Sequence, residues 1–171
     1  GDDILRSDGG NDALRGGAGN DTLELTMGNL TNNFQFDGGT GTDTLALGGA
    51  GAATFSGPLD LTMIPDSFIQ DIEVIDLSGS GTNTLTLDLQ EVYNISSTSS
   101  SLVDSGGFLA GNSNTLVGTR DGGDMVVDGG GWTTEAASTM IASLGKTFDV
   151  LTQGNAVLLI EQVDGVEVSV T

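Results

Sequence analysis

The sequence predicts an all-β chain with at most one short helix, and three observations predict it. Residues 1–47 carry a nine-residue repeat of Gly, Asp and an apolar residue. The 171 residues include 28 glycines but only two prolines, a balance typical of many tight turns. Later segments alternate apolar and polar residues with a period of two, which is the pattern of half-buried strands.

The repeat is clearest in two segments with the pattern G-G-x-G-x-D-x-U, in which U is apolar. They occupy residues 16–23 and 38–45. Less regular copies precede the first, so that aspartates fall at positions 3, 12 and 21. The glycines allow sharp turns, the Asp supplies a carboxylate to each turn, and the apolar residue points inward from a short strand. Because Asp43 follows Asp21 at a longer spacing, we expect an insertion or bulge between the two segments.

The charge of the chain excludes several classes of partner and of chemistry. Twenty-four acidic residues against four basic ones give a net charge of −20, and eighteen of the acids are Asp. Such a chain repels nucleic acid and anionic membrane surfaces, so neither is an expected partner. No apolar run is long enough to insert into a membrane. The sequence contains no Cys and no His, which excludes disulfides, Cys/His zinc sites and histidine catalysis, and we expect no enzymatic activity.

The nine-residue unit at residues 16–23 and 38–45 resembles the calcium-binding nonapeptide of the RTX family. The resemblance implies a right-handed parallel β-roll (an RTX solenoid) over residues 1–47. In such a roll two nonapeptides form one coil of about 18 residues, and stacked turns share Ca²⁺. Asp3 and Asp21 are then neighbours on one edge, and Asp12 lies on the opposite edge. The ninth position of each unit, at Arg6, Arg15, Glu24 and Ala46, should point outward.

Several Ca²⁺ ions are therefore expected, bound by carboxylate and carbonyl oxygens of the turns, which are the ligands that hard cations prefer. The predicted metal ligands are Gly1, Asp3, Ser7, Gly10, Asp12, Gly16, Ala18, Gly19, Asp21, Gly38, Thr40, Gly41 and Asp43.

Residues 48–171 are expected to continue the roll as a β-rich C-terminal cap. The segment 68–77 predicts one strand, and residues 88–94 predict a short helix with Asp88 as N-cap and Glu91 at the capping-box position. Asn83 stands where a repeat would place Asp, so this part is expected to bind no calcium. Strands are predicted at 124–127, 146–152 and 156–163, with turns at 153–155 and 164–165, and Trp132 is expected to cover the core.

Four later segments resemble the C-terminal region of large type I secreted RTX adhesins: residues 71–77, 83–87, 129–133 and 152–160. The resemblance implies folding outside the cell, a secreted or cell-surface location and an uncleaved C-terminal secretion signal. The implied partners are the type I secretion apparatus during export and the rest of the adhesin on the N-terminal side. A host or surface ligand would bind through other domains, and a monomer is expected. Two alternatives stay open: a calcium-dependent module that binds glycan, peptide or ice, and the export module of an RTX enzyme.

Overall fold

The computed structural model describes residues 1–7, 10–26, 28, 34–47, 57–79, 81–96, 102, 109, 114–135 and 138–163. In this part of the chain strands predominate, with one α-helix and one turn of 3-10 helix. The prediction of an all-β chain with one short helix is therefore confirmed. No helix among the described residues has the length and apolar composition that crossing a membrane requires.

The elements are short, as expected from the density of turns. In chain order the strands are β1 (Ile4–Arg6), β2 (Ala13–Ala18), β3 (Thr22–Leu25), β4 (Gln35–Thr40), β5 (Thr44–Leu47), β6 (Pro58–Asp60), β7 (Ile69–Gln70), β8 (Val74–Asp76), β9 (Thr84–Leu87), β10 (Asn114–Thr119), β11 (Met125–Asp128), β12 (Thr133–Thr134), β13 (Thr139–Ile141), β14 (Lys146–Gln153) and β15 (Ala156–Glu161). The 3-10 turn is Leu61–Met63, and the helix α1 is Leu89–Ile95.

The strands form one large mixed sheet and two small parallel sheets. In the large sheet β1, β3, β5, β8, β10 and β15 lie side by side and parallel. Strand β14 is antiparallel to β15, and β12 and β13 pair antiparallel with β14. The small sheets have the orders β2-β4-β7 and β6-β9-β11. Antiparallel pairing is thus confined to the C-terminal end of the described chain.

The register of the parallel strands follows the repeat. Ile4 of β1 pairs with Thr22 of β3, and Thr22 pairs with Thr44 of β5. The expected insertion therefore lies between β3 and β4, and it leaves equivalent positions of the two repeats opposite each other. Since a shift of one residue would turn every side chain to the other face, this register keeps the apolar positions in line.

The repeat leucines form the start of the main core. Leu23, Leu45 and Ile75 occupy equivalent positions on adjacent strands and are fully buried. The expectation that the ninth position points to solvent is wrong for Glu24 and Ala46, which are buried. Glu24 is covered because its carboxylate accepts a hydrogen bond from Arg6 Nε at 2.6 Å.

The other face of the large sheet, to which the ninth positions belong, also carries apolar residues. Val74 and Val117 are paired there on neighbouring strands and belong to a second core cluster with Phe148 and Leu159. The nine-residue repeat alone does not predict this second layer, because it marks only one inward position in each strand.

The segment predicted as a single strand at 68–77 is two strands, so that prediction is wrong. Strands β7 and β8 are separated by a bend at Asp71, whose φ of 51° lies in the left-handed region. Non-Gly residues adopt this conformation infrequently, and Asp is among those that tolerate it best. The bend moves the chain from the small sheet to the large one.

The C-terminal elements agree with the sequence-based predictions where the structure describes them. Strands β11, β14 and β15 overlap the three predicted strands, and Gly154, with a φ of 60°, forms the turn between β14 and β15. Trp132 is buried in the main core, as expected. The turn predicted at 164–165 lies outside the described residues.

The predicted helix is present, and its N-cap is formed as expected. Asp88 Oδ1 accepts hydrogen bonds from the backbone N–H groups of Gln90 at 2.7 Å and Glu91 at 3.2 Å. The Glu91 side chain is buried beside a small cavity lined by Leu61, Ile69 and Ile95. Burial raises the pKa of Glu91 to about 7, and repulsion from Asp88, Asp66 and Asp60 adds to the increase.

Replacing Glu91 tests this buried carboxyl. The pKa of Glu91 in the folded state lies above its value in the unfolded chain. The unfolding free energy therefore falls as pH rises from about 4.5 to above 7, and it loses the full contribution of Glu91 above that range. We expect Glu91→Gln to raise the unfolding free energy by about 1–3 kcal/mol at pH 8 and much less at pH 5. Urea unfolding at both pH values, with saturating Ca²⁺ throughout, measures the difference. An equal effect at the two pH values would contradict the assignment.

Candidate metal centre

Acidic residues from successive turns lie in a line at one edge of the parallel strands. Asp3 N–H donates to Asp21 Oδ1 at 2.7 Å, and Asp21 N–H donates to Asp43 Oδ1 at 2.7 Å. Asp43 N–H in turn donates to Glu73 Oε2 at 2.9 Å. We call this line of four residues the aspartate edge. It confirms that Asp3 and Asp21 are neighbours, and it shows that the pairing continues across the longer repeat spacing.

The glycines of the repeats allow the turns along this edge to approach closely. A Cβ atom on Gly39 would clash with the carbonyl oxygen of Gly17, and one on Gly41 would clash with the carbonyl of Gly19. Both residues also have positive φ values, 98° and 144°, which disfavour any side chain. The spacing of the glycines in the motif therefore serves direct backbone-to-backbone stacking.

Backbone hydrogen bonds connect the remaining predicted ligands of this edge. The amino group of Gly1 donates to the Ala18 carbonyl at 2.6 Å, and Gly19 N–H donates to the Thr40 carbonyl at 3.0 Å. The structure therefore brings together most of the predicted site residues. They are Gly1, Asp3, Gly16, Ala18, Gly19, Asp21, Gly38, Thr40, Gly41 and Asp43.

Among the described residues, one oxygen of each central aspartate is buried and has no hydrogen-bond donor. These atoms are Asp21 Oδ2 and Asp43 Oδ2, and both residues are almost completely inaccessible to solvent. An ionised carboxylate that is buried with an unpaired oxygen costs several kcal/mol unless a cation or a donor satisfies it. The two oxygens are the strongest local indication that a ligand is bound at this edge.

Each unpaired oxygen shares a small space with a backbone carbonyl. A Cβ atom on Gly16 would lie 2.6 Å from the Gly38 carbonyl oxygen and even closer to Asp21 Oδ2. A Cβ atom on Gly38 would lie 2.8 Å from Asp43 Oδ2 and would clash with the Asp71 carbonyl oxygen. The same combination of a carboxylate, a carbonyl and a glycine thus occurs twice, at Gly16 and at Gly38 in the next turn.

The electrostatics of the edge favour a bound cation. Burial raises the pKa of Asp43 most; the hydrogen bond from Asp21 N–H lowers it, and repulsion from Asp21, Asp71 and Asp37 raises it. Burial and the charge of Asp37 also raise the pKa of Asp71. Raised carboxyl pKa values mean that the ionised forms are destabilised as they stand, and a nearby positive charge would reverse this effect.

Three residues that contribute to this edge are not among the predicted ligands: Asp37, Asp71 and Glu73. Asp71 lies opposite Gly38 in the register of β4 and β7, and Glu73 takes the place that Asp holds in earlier turns. The turn that contains them is shorter than a nonapeptide turn, so their spacing from Asp43 does not follow the repeat. The sequence signal that could have identified Asp71 and Glu73 is their position on either side of Ile72, directly after a strand.

Ser7, Gly10 and Asp12 lie at the other end of β2 and are not brought together with the aspartate edge. Ser7 Oγ donates to Asp12 Oδ2, and the Asp12 carbonyl accepts from Gln35 N–H at 2.9 Å. The register of β2 and β4 places Phe34, an apolar residue, opposite Asp12. The carboxylate ladder therefore does not extend from Asp12 into the next turn.

The oxygen atoms of the aspartate edge fit a calcium ion in type. Ca²⁺ takes six to eight oxygen ligands at about 2.3–2.6 Å and accepts carboxylates together with backbone carbonyls. Among the described residues no three acidic side chains converge on one point, so a site here would depend on the carbonyls of the glycine turns as much as on carboxylates. When bound, Ca²⁺ would supply positive charge to Asp21 Oδ2 and Asp43 Oδ2.

Adding one methyl group tests the space beside Asp21. Gly16→Ala places a carbon atom against Asp21 Oδ2 and the Gly38 carbonyl, so we expect Ca²⁺ affinity at this site to fall by about tenfold or more. Gly118→Ala is the control, because its Cβ would have ordinary contacts, with the nearest atom at 3.7 Å. Isothermal titration calorimetry measures both variants, and equal affinities for wild type and Gly16→Ala would refute the assignment.

Comparison of the chain with protein-family models, with curated proteins and with solved structures found no match. The chemistry assigned to the aspartate edge therefore rests on the chain's own residues and their geometry.

Proposed function

We propose that this chain is a calcium-dependent folding and secretion module of an extracellular RTX adhesin, in which residues 1–47 form a right-handed parallel β-roll. The observation that carries the proposal is the pair of buried, unpartnered oxygens, Asp21 Oδ2 and Asp43 Oδ2, each beside a backbone carbonyl. Ca²⁺ is the cation that suits such ligands outside the cell, where it is abundant.

The strand pairing supports the β-roll part of the proposal. Strands β1, β3 and β5 are parallel, as are β2 and β4, and the residues that pair are equivalent positions of the repeats. A chain that alternates between two sets of parallel strands has the connectivity that the nonapeptide implies. The large sheet continues from this part into residues 48–163, which supports one β-rich unit with a C-terminal cap.

The charge of the chain supports a role for calcium in folding. At −20, self-repulsion opposes compaction until cations neutralise part of the charge. At a free Ca²⁺ concentration one hundred times the Kd, each site would stabilise the folded state by about 2.7 kcal/mol. Two such sites would contribute about 5 kcal/mol, which is comparable to the whole stability of a small domain.

The opposition between charge repulsion and Ca²⁺ binding supports an export mechanism. In the low calcium of the cytosol the chain would stay expanded and suitable for threading through a type I secretion apparatus. Outside the cell, folding would prevent it from sliding back. The remainder of the adhesin would provide binding to a host or surface ligand, and the module would act as a monomer.

The described residues favour this function over direct glycan binding by the module. Trp132, the aromatic residue best suited to stack on a sugar, is only 8% exposed and packs in the main core. Tyr93 is partly exposed, but its hydroxyl accepts a hydrogen bond from Asn155 N–H at 3.3 Å.

A calcium titration followed by far-UV circular dichroism tests the proposal. Starting from protein treated with chelator, we expect a cooperative gain of β signal as Ca²⁺ rises through about 10⁻⁴–10⁻³ M, the range of extracellular modules. Mg²⁺ should not substitute, because its strict octahedral geometry suits flexible carbonyl cages poorly.

The control is the variant Asp66→Asn, which removes one charge from an exposed residue outside the aspartate edge and should titrate nearly as wild type does. Asp21→Asn should require more Ca²⁺. A chain that is already folded in chelator and indifferent to Ca²⁺ would exclude the proposed function.

A further inference from the structure

A second pair of stacked turns repeats the contact of the aspartate edge without a nonapeptide motif. Asn83 and Asp124 directly precede β9 and β11, whose register places them opposite each other. Asn83 N–H donates to Asp124 Oδ1 at 2.7 Å. The hydrogen bond from Asp21 N–H to Asp43 Oδ1 also joins a backbone N–H to an Asp carboxylate, and it has the same length. The two edges therefore share one backbone-to-carboxylate geometry.

The turn that ends at Asp124 carries excess negative charge. Asp124 is buried, and its Oδ2 accepts from Asp121 N–H at 3.0 Å. Repulsion from Asp124 is the main cause that raises the pKa of Asp121, followed by desolvation, a side-chain hydrogen bond with Asp124 and the charge of Asp76. Arg120 offsets part of this charge, since its guanidinium donates to the Asp124 carbonyl at 3.1 Å.

Asn83 supplies an observation that does not depend on the acidic residues. Its side chain is completely buried, and Nδ2 donates to the Leu77 carbonyl at 2.9 Å. This bond orients the amide, and within the described part of the chain Oδ1 is buried with no hydrogen-bond donor. The N–H of the same residue contacts Asp124. A buried acceptor without a donor destabilises the fold, and an amide oxygen is a good ligand for a hard cation.

We propose that Asn83, Asp121 and Asp124 form a second site, which binds a hard divalent cation, Ca²⁺ or Mg²⁺. Asn83 Oδ1 and the two carboxylates provide the side-chain oxygens, and Gly123, with a φ of 114°, gives the turn its tight backbone. The site departs from the expectation that the turn at Asn83 binds no calcium. It is separate from the aspartate edge and stands whether or not that edge binds Ca²⁺.

Counting bound ions tests this site on the intact chain. Isothermal titration calorimetry with Ca²⁺, and separately with Mg²⁺, should show one ion fewer for Asp121→Asn than for wild type. The charge-matched control is Asp66→Asn, an exposed acid on another part of the surface, which should bind as many ions as wild type. Asp43→Asn should retain the ion that Asp121→Asn loses, and this separates the second site from the aspartate edge.

A substitution that should raise the affinity of the second site for the cation completes the test. Asn83→Asp adds a charged ligand, so affinity at the second site should rise by about tenfold, because ligand charge tunes affinity in such sites. If Asn83 has only a structural role, this variant would bury an extra charge and lose the bond to Leu77 without any gain in affinity. That result, or an unchanged number of ions in Asp121→Asn, would overturn the proposal.

Discussion

The constraint on which the structure depends is the position of the carboxylates of stacked turns. Asp21 and Asp43 each use one oxygen to accept the backbone N–H of the preceding turn and keep the other buried without a partner. The first contact holds successive strands in register. The second oxygen has no hydrogen-bond donor among the described residues, so its charge is left uncompensated there. The same residues therefore order the fold and, under the proposed function, would bind the cation that stabilises it.

The other features of the N-terminal part follow from this arrangement. Carboxylates can stack at this short separation only if the neighbouring turns have no side chains, which is why glycine is needed where turns touch. The apolar residue two positions after each Asp then points into the core, so that Leu23 and Leu45 lie opposite each other. The charge at the edge and the core of the sheet are two consequences of one repeat.

Much of this could be predicted from the sequence, because the repeat encodes it locally. The spacing of Asp, Gly and Leu helped to predict the all-β class, and the resemblance to the calcium-binding nonapeptide implied the pairing of Asp3 with Asp21 and most residues of the candidate site. Asp71 and Glu73 could not be found in this way, because the turn that brings them to the edge is shorter than the repeat and depends on a left-handed Asp71. The burial of Glu24 and Ala46 also escaped prediction, since it depends on tertiary contacts, such as the hydrogen bond from Arg6 to Glu24, that the repeat does not encode.

The central claim is that buried carboxylates of stacked turns destabilise the fold until Ca²⁺ binds, and Asp43→Asn tests it most directly. Asn keeps an oxygen that can accept Asp21 N–H but removes the charge. We expect the unfolding free energy, measured in urea at a series of free Ca²⁺ concentrations, to rise less steeply in the variant than in wild type. The two lines should cross: at low Ca²⁺ the variant should be more stable by about 1–2 kcal/mol, and at high Ca²⁺ it should be less stable by about 2–3 kcal/mol. Parallel lines would contradict the account, because they would mean that Asp43 binds no calcium.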